Sequence, residues 1–530
     1  MEPKNSFLCF EFDPLVFTEL VLQHSGAPAG SPANTQVDYL ARYLDEDLIA
    51  KSMLVESHYI DRHFMEEVSL YYSSCFHWRT NACSRLHLFN NEVTTHSLKS
   101  LVHEAAKGEL EAQEQAKLLE QQYLGFVVVR PLPSVPIGRT VLRPLEDDSA
   151  RHFPTRIPYT VHLLGLELRV WGLAFQQQDS AVAACATTSV WTALQRVCRY
   201  EGERTPTPSA IAQVGVGYVP PAGRVLPSRG LTNEAMFGAF RAYGYSSVPF
   251  DPAEDPSAFK LLLNIYLRSG IPVVLTTKGR TGHAVTVVGY RKEEVVPEWN
   301  LNKVWAEEGP PEGGDTEAPL DESEEPEEAS PCGGDSLPIL AHNLAYERIY
   351  VHDDRLGPYA RARLVEVDPV TLEIEIEFPD NTVEKTELDI GLAPLYAKAR
   401  LTGSQLLEAA GLLYPWVNNY LEQVLGEERR GLELFFERSG NYLASLYARR
   451  LDAERMERFM GKVSLSRYVG IVRICSESGV ELLDLVLDTT DILREDPFDP
   501  LVPILAVVAL DPSAQPAADG VSANTNILAG

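Results

Sequence analysis

No uninterrupted apolar run in this 530-residue chain approaches the roughly 18 residues that a membrane-spanning helix needs. The opening MEPKNSFLCFEFDPLVF also lacks the basic region and apolar core of a secretory leader. A cytoplasmic protein without a membrane partner is expected. Cysteine is scarce: Cys9, Cys75, Cys83, Cys185, Cys198, Cys332 and Cys475 are an odd set at no framework spacing, which suits reduced thiols better than a disulfide scaffold. Positive charge is short as well, with 46 Lys and Arg against 75 Asp and Glu and a formal net charge of −29. Backbone binding to nucleic acid needs a clustered positive face, so a nucleic-acid partner is set aside and a neutral or basic protein is easier to accommodate.

Much of the acidity is local. Between Glu293 and Asp335 fifteen acids face one base, Lys303, in a stretch broken by EGPPEGGD and DESEEPEEASPCGGD. Such a segment buries too little apolar surface to offset its ordering entropy, and a disordered acidic insert is expected over about 296–338. Over the whole chain, 45% hydrophobic residues indicate a globular protein, long enough for about two to four domains. Residues 1–175 read as an α+β domain with a β-rich end. Within it EVSLYYSSCFHW and SRLHLFNN have strand composition, and SLKSLVHEAAKGELEAQEQAKLLEQQY has a helical period. From 176 to 380 the order is helix, helix, helix, strand, acidic insert, strand. Residues 381–510 form a C-terminal α+β domain, where GSQLLEAAGLLYPWVNNYLEQVL and LELFFERSGNYLASLYARRLDAERMERFM are helical patterns and RYVGIVRI and LLDLVLDTT a strand pair. Residues 511–530 read as a flexible tail.

The chemistry starts in QQQDSAVAACATTSVWTALQRVC, residues 176–198. Ala184, Val190, Trp191, Leu194, Val197 and Cys198 share one face of a helix that begins near Cys185. That puts the thiol at the positive end of the helix dipole, where a thiolate is stabilised. A buried, inert cysteine is the plainer reading of this segment alone. Downstream, TGHAVTVVGYR sets His283 at the start of an apolar strand beside Gly282, and a further strand ends in YVHDDRLG.

A glutamine run, a cysteine at a helix start, a GHAVTVVGY strand and a strand ending in Asp before a glycine turn resemble the papain-like cysteine peptidases. The bacterial double-glycine, bacteriocin-processing branch is the most similar. The resemblance covers roughly 176–365, about a third of the chain. It implies an α+β core with Cys on an N-terminal helix and His and Asp on an antiparallel sheet. It also implies Cys185 as nucleophile, His283 as general base and Asp353 as the acid that orients the imidazole, with Asp354 the alternative. An amide from Gln178, or alternatively Gln177, would join the Cys185 backbone N–H in the oxyanion hole. The family places its glutamine six residues before the cysteine, where this chain has Asp179, and Ala186 replaces the usual glycine or tryptophan. The acidic insert stands where the family has a short hairpin.

The expected function is therefore a cysteine peptidase acting on a peptide or protein, without cofactor or metal, and regulated by its flanking domains or by a protein partner at the acidic insert. Deamidation, isopeptide cleavage or acyl transfer could use the same triad, and a catalytically silent binding module is the alternative from another class. Cys75, His77, Cys83 and His87, with His58 and His63 upstream, lack the spacing of a common zinc module. VGVGYVPPAG lacks the strand and helix register of a nucleotide loop, SAFK lacks the companions of a Ser-x-x-Lys enzyme, and LYPWVNNYLEQV reads as core or domain interface.

Overall fold

The computed structural model describes residues 7–76, 80–145, 148–179, 185–218, 231–279, 282–293, 298–299, 339–340, 346–449, 464–490 and 504–514. It is a mixed α/β structure in two compact units, Met1–Glu293 with Tyr346–Ala399, and Glu294–Ala345 with Arg400–Gly530.

Among its described residues the first unit contains three sheets, the smallest the two-stranded pair Ile157–Leu163 and Leu166–Gly172. An antiparallel five-stranded sheet runs in chain order through Phe7–Glu11, Ser52–Tyr59, Cys83–Phe89, Tyr123–Val129 and Ile137–Leu142. The second is a barrel of six strands, Val273–Thr277, Ala284–Lys292, Tyr346–Asp353, Gly357–Asp368, Thr371–Glu377 and Val383–Tyr396, each antiparallel to the next. The barrel closes because the long last strand changes partner along its length. Its first residues pair with Thr371–Glu377, and Leu388–Leu392 pair with Val274–Thr277. Closure leaves no unpaired edge in the barrel and fixes the rim on which the His and Asp strands end. The helix Cys185–Glu201 packs on the barrel with every residue from Ala186 to Cys198 buried.

Several expectations need correction. The boundary set at 380 falls in the hairpin turn before Val383–Tyr396, which completes the barrel, so the first unit runs to Ala399. The boundary set at 175 fails likewise. Phe175 bridges Thr140 and the Gln177 N–H donates to the Ile137 carbonyl at 3.2 Å, so the glutamine run lies along the edge of the five-stranded sheet. The described part of EVSLYYSSCFHW, through Phe76, is not a strand: Arg62–Leu70 is a helix, started by the Asp61 carboxylate, which accepts from the His63 and Phe64 N–H groups. Its strand composition was outweighed by that cap and by a buried face of His63, Phe64, Glu67 and Val68.

In the second unit LELFFER is a strand, Arg430–Arg438, rather than helix, because both its faces are buried and it pairs in full register with Tyr468–Ser476. The helix begins only at Ser439. The sheet order is Glu298–Trp299, Ile339–Leu340, Arg430–Arg438, Tyr468–Ser476, Glu481–Asp488 and Ile504–Ala509. Phe435, Tyr442, Leu446, Val469, Ile471, Val486 and Ala506 form a core cluster. Glu298–Trp299 lies inside the span expected to be disordered, yet it pairs with Ile339–Leu340, which joins the strand Arg430–Arg438. Most of the acidic insert and residues 515–530 of the tail lie outside the described residues. No helix among the described residues is long and apolar enough to cross a membrane.

One close approach ties the N-terminal helix Thr35–Arg42 to the turn after the Asp strand. A Cβ on Gly357 would stand 2.1 Å from Tyr39 Cδ1, and the Tyr39 hydroxyl donates to the Pro358 carbonyl at 2.8 Å. Gly357→Ala should therefore cost about 1–3 kcal/mol, read as a lower urea midpoint. Gly440→Ala, on a helix with nothing within 4 Å of the new methyl, should leave the midpoint unchanged or raise it slightly.

Candidate active site

Cys185 is the first residue of its helix and is partly exposed. Three side-chain tethers fix the helix start against the barrel. The Ser189 hydroxyl donates to the Ala284 carbonyl at 2.9 Å, the Thr286 hydroxyl donates to the Ser189 carbonyl at 3.0 Å, and Thr188 Oγ1 lies 3.0 Å from Asp354 Oδ2. These link Cys185 within one helical turn to the strand that follows His283 and to the residue that follows Asp353. The sequence order thus becomes a spatial one.

His283 stands just before the strand Ala284–Lys292. Its N–H donates to Thr277 Oγ1 at 3.0 Å, and its carbonyl accepts from the Thr277 N–H at 2.9 Å. With its backbone pinned, the ring is oriented by Asp353: Nε2 is 3.0 Å from Asp353 Oδ1, and the Cys185 thiol is close enough to help raise the pKa of the same ring. With Nε2 committed to the carboxylate, Nδ1 is the nitrogen left for sulfur.

Asp353 ends the strand Tyr346–Asp353, and its side chain is fully buried. Besides His283 it accepts from the Arg355 N–H at 2.9 Å and from Arg355 Nη2 at 3.1 Å, and Arg355 continues to Glu384 at 2.9 Å. Burial alone would raise the Asp353 pKa. The imidazolium and the guanidinium outweigh it and hold the carboxyl well below its usual range. For His283 the balance is reciprocal: burial would lower its pKa, but the Asp353 charge and the hydrogen bonds to Asp353 and Cys185 push it up to about 10.

Asp354 approaches the same ring nitrogen at a longer distance. Its Oδ1 is 4.0 Å from His283 Nε2 and is buried without a hydrogen-bond partner, while Oδ2 meets Thr188. Burial first, and then repulsion from Asp353, pushes its pKa up to about 7, against the pull of His283. Of the two acids named from the sequence, Asp353 is therefore the one hydrogen-bonded to the imidazole, and Asp354 is a neighbour that joins the Cys helix to the turn. The Asp354 carbonyl also accepts from Gln36 Nε2 at 3.2 Å, a contact with no sequence signal.

The glutamines separate. Gln176 Nε2 donates to Glu67 Oε1 at 2.8 Å, and Gln177 Oε1 accepts from the Ile137 N–H at 3.1 Å, which commits both side chains to the N-terminal sheet region. Gln178 is half-buried and makes no side-chain hydrogen bond among the described residues. Residues 180–184, between it and Cys185, lie outside the described residues.

His283, Asp353 and Asp354 offer ligand atoms within 4.8 Å of one another, the one group of three found among the described residues with the makings of a cation site. The Arg355 guanidinium on Asp353 opposes a second cation there, and His283 Nε2 is already engaged. Of the upstream candidates, Cys83 and His87 are buried on the strand Cys83–Phe89, and the His87 ring is taken by the Tyr123 hydroxyl at 2.9 Å and Glu56 at 3.2 Å. His63 packs edge-on against Trp191, Cys75 follows a short helical turn, His58 has a φ of 60°, and His77 lies outside the described residues.

A thiol, an imidazole and a buried carboxylate in series can store a thiolate–imidazolium pair and pass a proton to and from a leaving group. Comparisons with protein-family models, with curated proteins and with solved structures return no match to this chain.

Two outcomes follow from the charge balance. Asp353→Asn removes the charge that holds the imidazolium, so the His283 pKa should fall from about 10 to or below its ordinary value near 6.5, measured by NMR titration of the ring. Asp354 has a folded pKa above its ordinary 3.8, so its ionisation costs stability as pH rises through about 7. Asp354→Asn should therefore raise stability at pH 8 and change it little at pH 4, read by thermal unfolding at the two pH values.

Proposed function

We propose that this chain is a cysteine hydrolase of papain-like layout, acting on a peptide or protein carbonyl. The observation that carries the reading is the His283 ring, hydrogen-bonded to the buried Asp353 carboxylate and raised in pKa by both Asp353 and the helix-terminal Cys185. The antiparallel barrel bearing His and Asp, packed against the Cys helix, supports the resemblance noted in the sequence.

In this reading His283 takes the thiol proton and remains protonated, because Asp353 stabilises its charge. The thiolate of Cys185 attacks the carbonyl carbon, and negative charge gathers on the carbonyl oxygen. The Cys185 N–H at the helix start and the Gln178 amide serve that oxyanion. His283 then protonates the departing amine, and the acyl group stays on sulfur. In the second half His283 accepts a proton from water, the hydroxide attacks the thioester, and Cys185 leaves as thiolate. Asp353 keeps its charge throughout and holds the ring so that the sulfur-facing nitrogen alternates between the two roles.

The test needs no knowledge of the substrate. At neutral pH iodoacetate should alkylate Cys185 about a hundredfold faster than Cys9 or Cys75, the other partly exposed thiols among the described residues, by peptide mass mapping. His283→Ala should bring Cys185 to their level. Equal rates in the wild-type protein would sink the proposal. Incubating a protein mixture with wild type and with Cys185→Ala then identifies the reaction: new chain termini made only by the wild type mark a peptidase, whereas glutamine-to-glutamate mass changes redirect the same chemistry to deamidation.

A further inference from the structure

A second cluster of buried charges lies beneath the glutamine run, and the triad does not use it. Arg130 follows the strand Tyr123–Val129, with its side chain 1% exposed. One nitrogen, Nη1, stands 3.3 Å from Glu67 Oε2 and 3.7 Å from Asp179 Oδ2, and both carboxylates are as buried as the guanidinium. The other, Nη2, donates to the Gln177 carbonyl at 3.2 Å and to the Val135 carbonyl at 3.0 Å. Asp179 also accepts from the Tyr72 hydroxyl at 3.1 Å, and Glu67 from Gln176 Nε2 at 2.8 Å.

The consequence for the chain is specific. Residues 176, 177 and 179 are each held by this cluster, through a side chain, a carbonyl and a carboxylate respectively. Gln178, the residue between them, has no hydrogen bond of its own among the described residues. A buried ion cluster is seldom the most stable filling for such a space, because each charge loses its hydration, but it dictates geometry in a way that an apolar cluster does not. Burial and the Asp179 charge, opposed by Arg130, push the Glu67 pKa up to about 7, in keeping with two carboxylates sharing one guanidinium.

We propose that Arg130, Glu67 and Tyr72 are positioning residues that hold the Gln178 amide as the oxyanion donor for Cys185, making the N-terminal sheet and its helix a working part of the catalytic unit. This rests on the cysteine-hydrolase reading above.

Two reactions of the same sulfur separate positioning from folding. In acylation by p-nitrophenyl acetate, a bond forms from Cys185 Sγ to the acetyl carbon. The carbonyl oxygen becomes an oxyanion, and its collapse restores the carbonyl and expels p-nitrophenolate. In alkylation by iodoacetamide the sulfur displaces iodide at a saturated carbon, and no oxyanion arises. Gln178→Ala should slow acylation about a hundredfold and leave alkylation unchanged. Tyr72→Phe and Arg130→Met should slow acylation about tenfold or more, again with alkylation unchanged, and Arg130→Lys should recover part of the loss. If these variants slow both reactions alike, or neither, the cluster is structural only and the proposal is overturned. Should Arg130→Met not fold, Tyr72→Phe, which removes a single hydroxyl, carries the comparison. If wild-type Cys185 alkylates no faster than Cys9 and Cys75, the hydrolase reading itself has failed. If it does, and only the acylation of these variants is normal, the positioning role alone has failed.

Discussion

The buried Asp353 carboxylate is the group around which the first unit is arranged. A fully desolvated charge costs several kcal/mol unless its oxygens are met by donors of opposite charge, and here Arg355 and His283 meet them. Once Asp353 is ionised, His283 is held protonated and oriented, and the ring's remaining nitrogen is available to the thiol. The strand Tyr346–Asp353 must then end where the strand from Ala284 begins, which its antiparallel register, Thr286 opposite His352, imposes. Removing that one charge would leave an imidazolium without its counter-ion and a guanidinium turned to Glu384 alone.

The N-terminal region takes part in the same arrangement from two directions. Gln36 and Tyr39, on one short helix, touch the turn that follows Asp353. Glu67, Tyr72 and Arg130 clamp the segment that leads to Cys185. The edge of the five-stranded sheet supplies backbone partners for Phe175 and Gln177. This residue-by-residue attachment explains why residues 1–175 form one unit with the Cys helix and the barrel, although composition alone marks a boundary there.

Local sequence signals served well where one physical effect dominates. The helix from Cys185 was legible because its apolar positions recur at helical spacing, and the strands around His283 and Asp353 because of their β-branched and aromatic residues, AVTVV in one and IYV in the other. They misled where two effects compete. Aromatic and β-branched residues gave EVSLYYSSCFHW the look of a strand, but the Asp61 cap and a helical pattern of burial decided for helix. LELFFER looked helical by composition, but pairing on the sheet and burial on both faces decided for strand. The domain limits were the least legible feature, since barrel closure by Val383–Tyr396 depends on pairing with Val274–Thr277, more than a hundred residues earlier.

At the site itself, sequence determined the types of group and their order: a thiol at a helix start, an imidazole opening one strand, an acid ending another, and amides ahead of the thiol. Helix periodicity and strand boundaries are local properties, so the chain carries them openly. Tertiary structure alone decided which neighbour takes which place. Asp353 rather than Asp354 meets the imidazole, and Gln177 is spent on the Ile137 N–H while Gln178 is not. Those choices turn on desolvation and on hydrogen-bond partners from distant strands, and neither exists until the barrel and the N-terminal sheet have formed. The three glutamines before Cys185 are interchangeable in sequence, and contacts with residues far upstream, Glu67, Arg130 and Ile137, distinguish them.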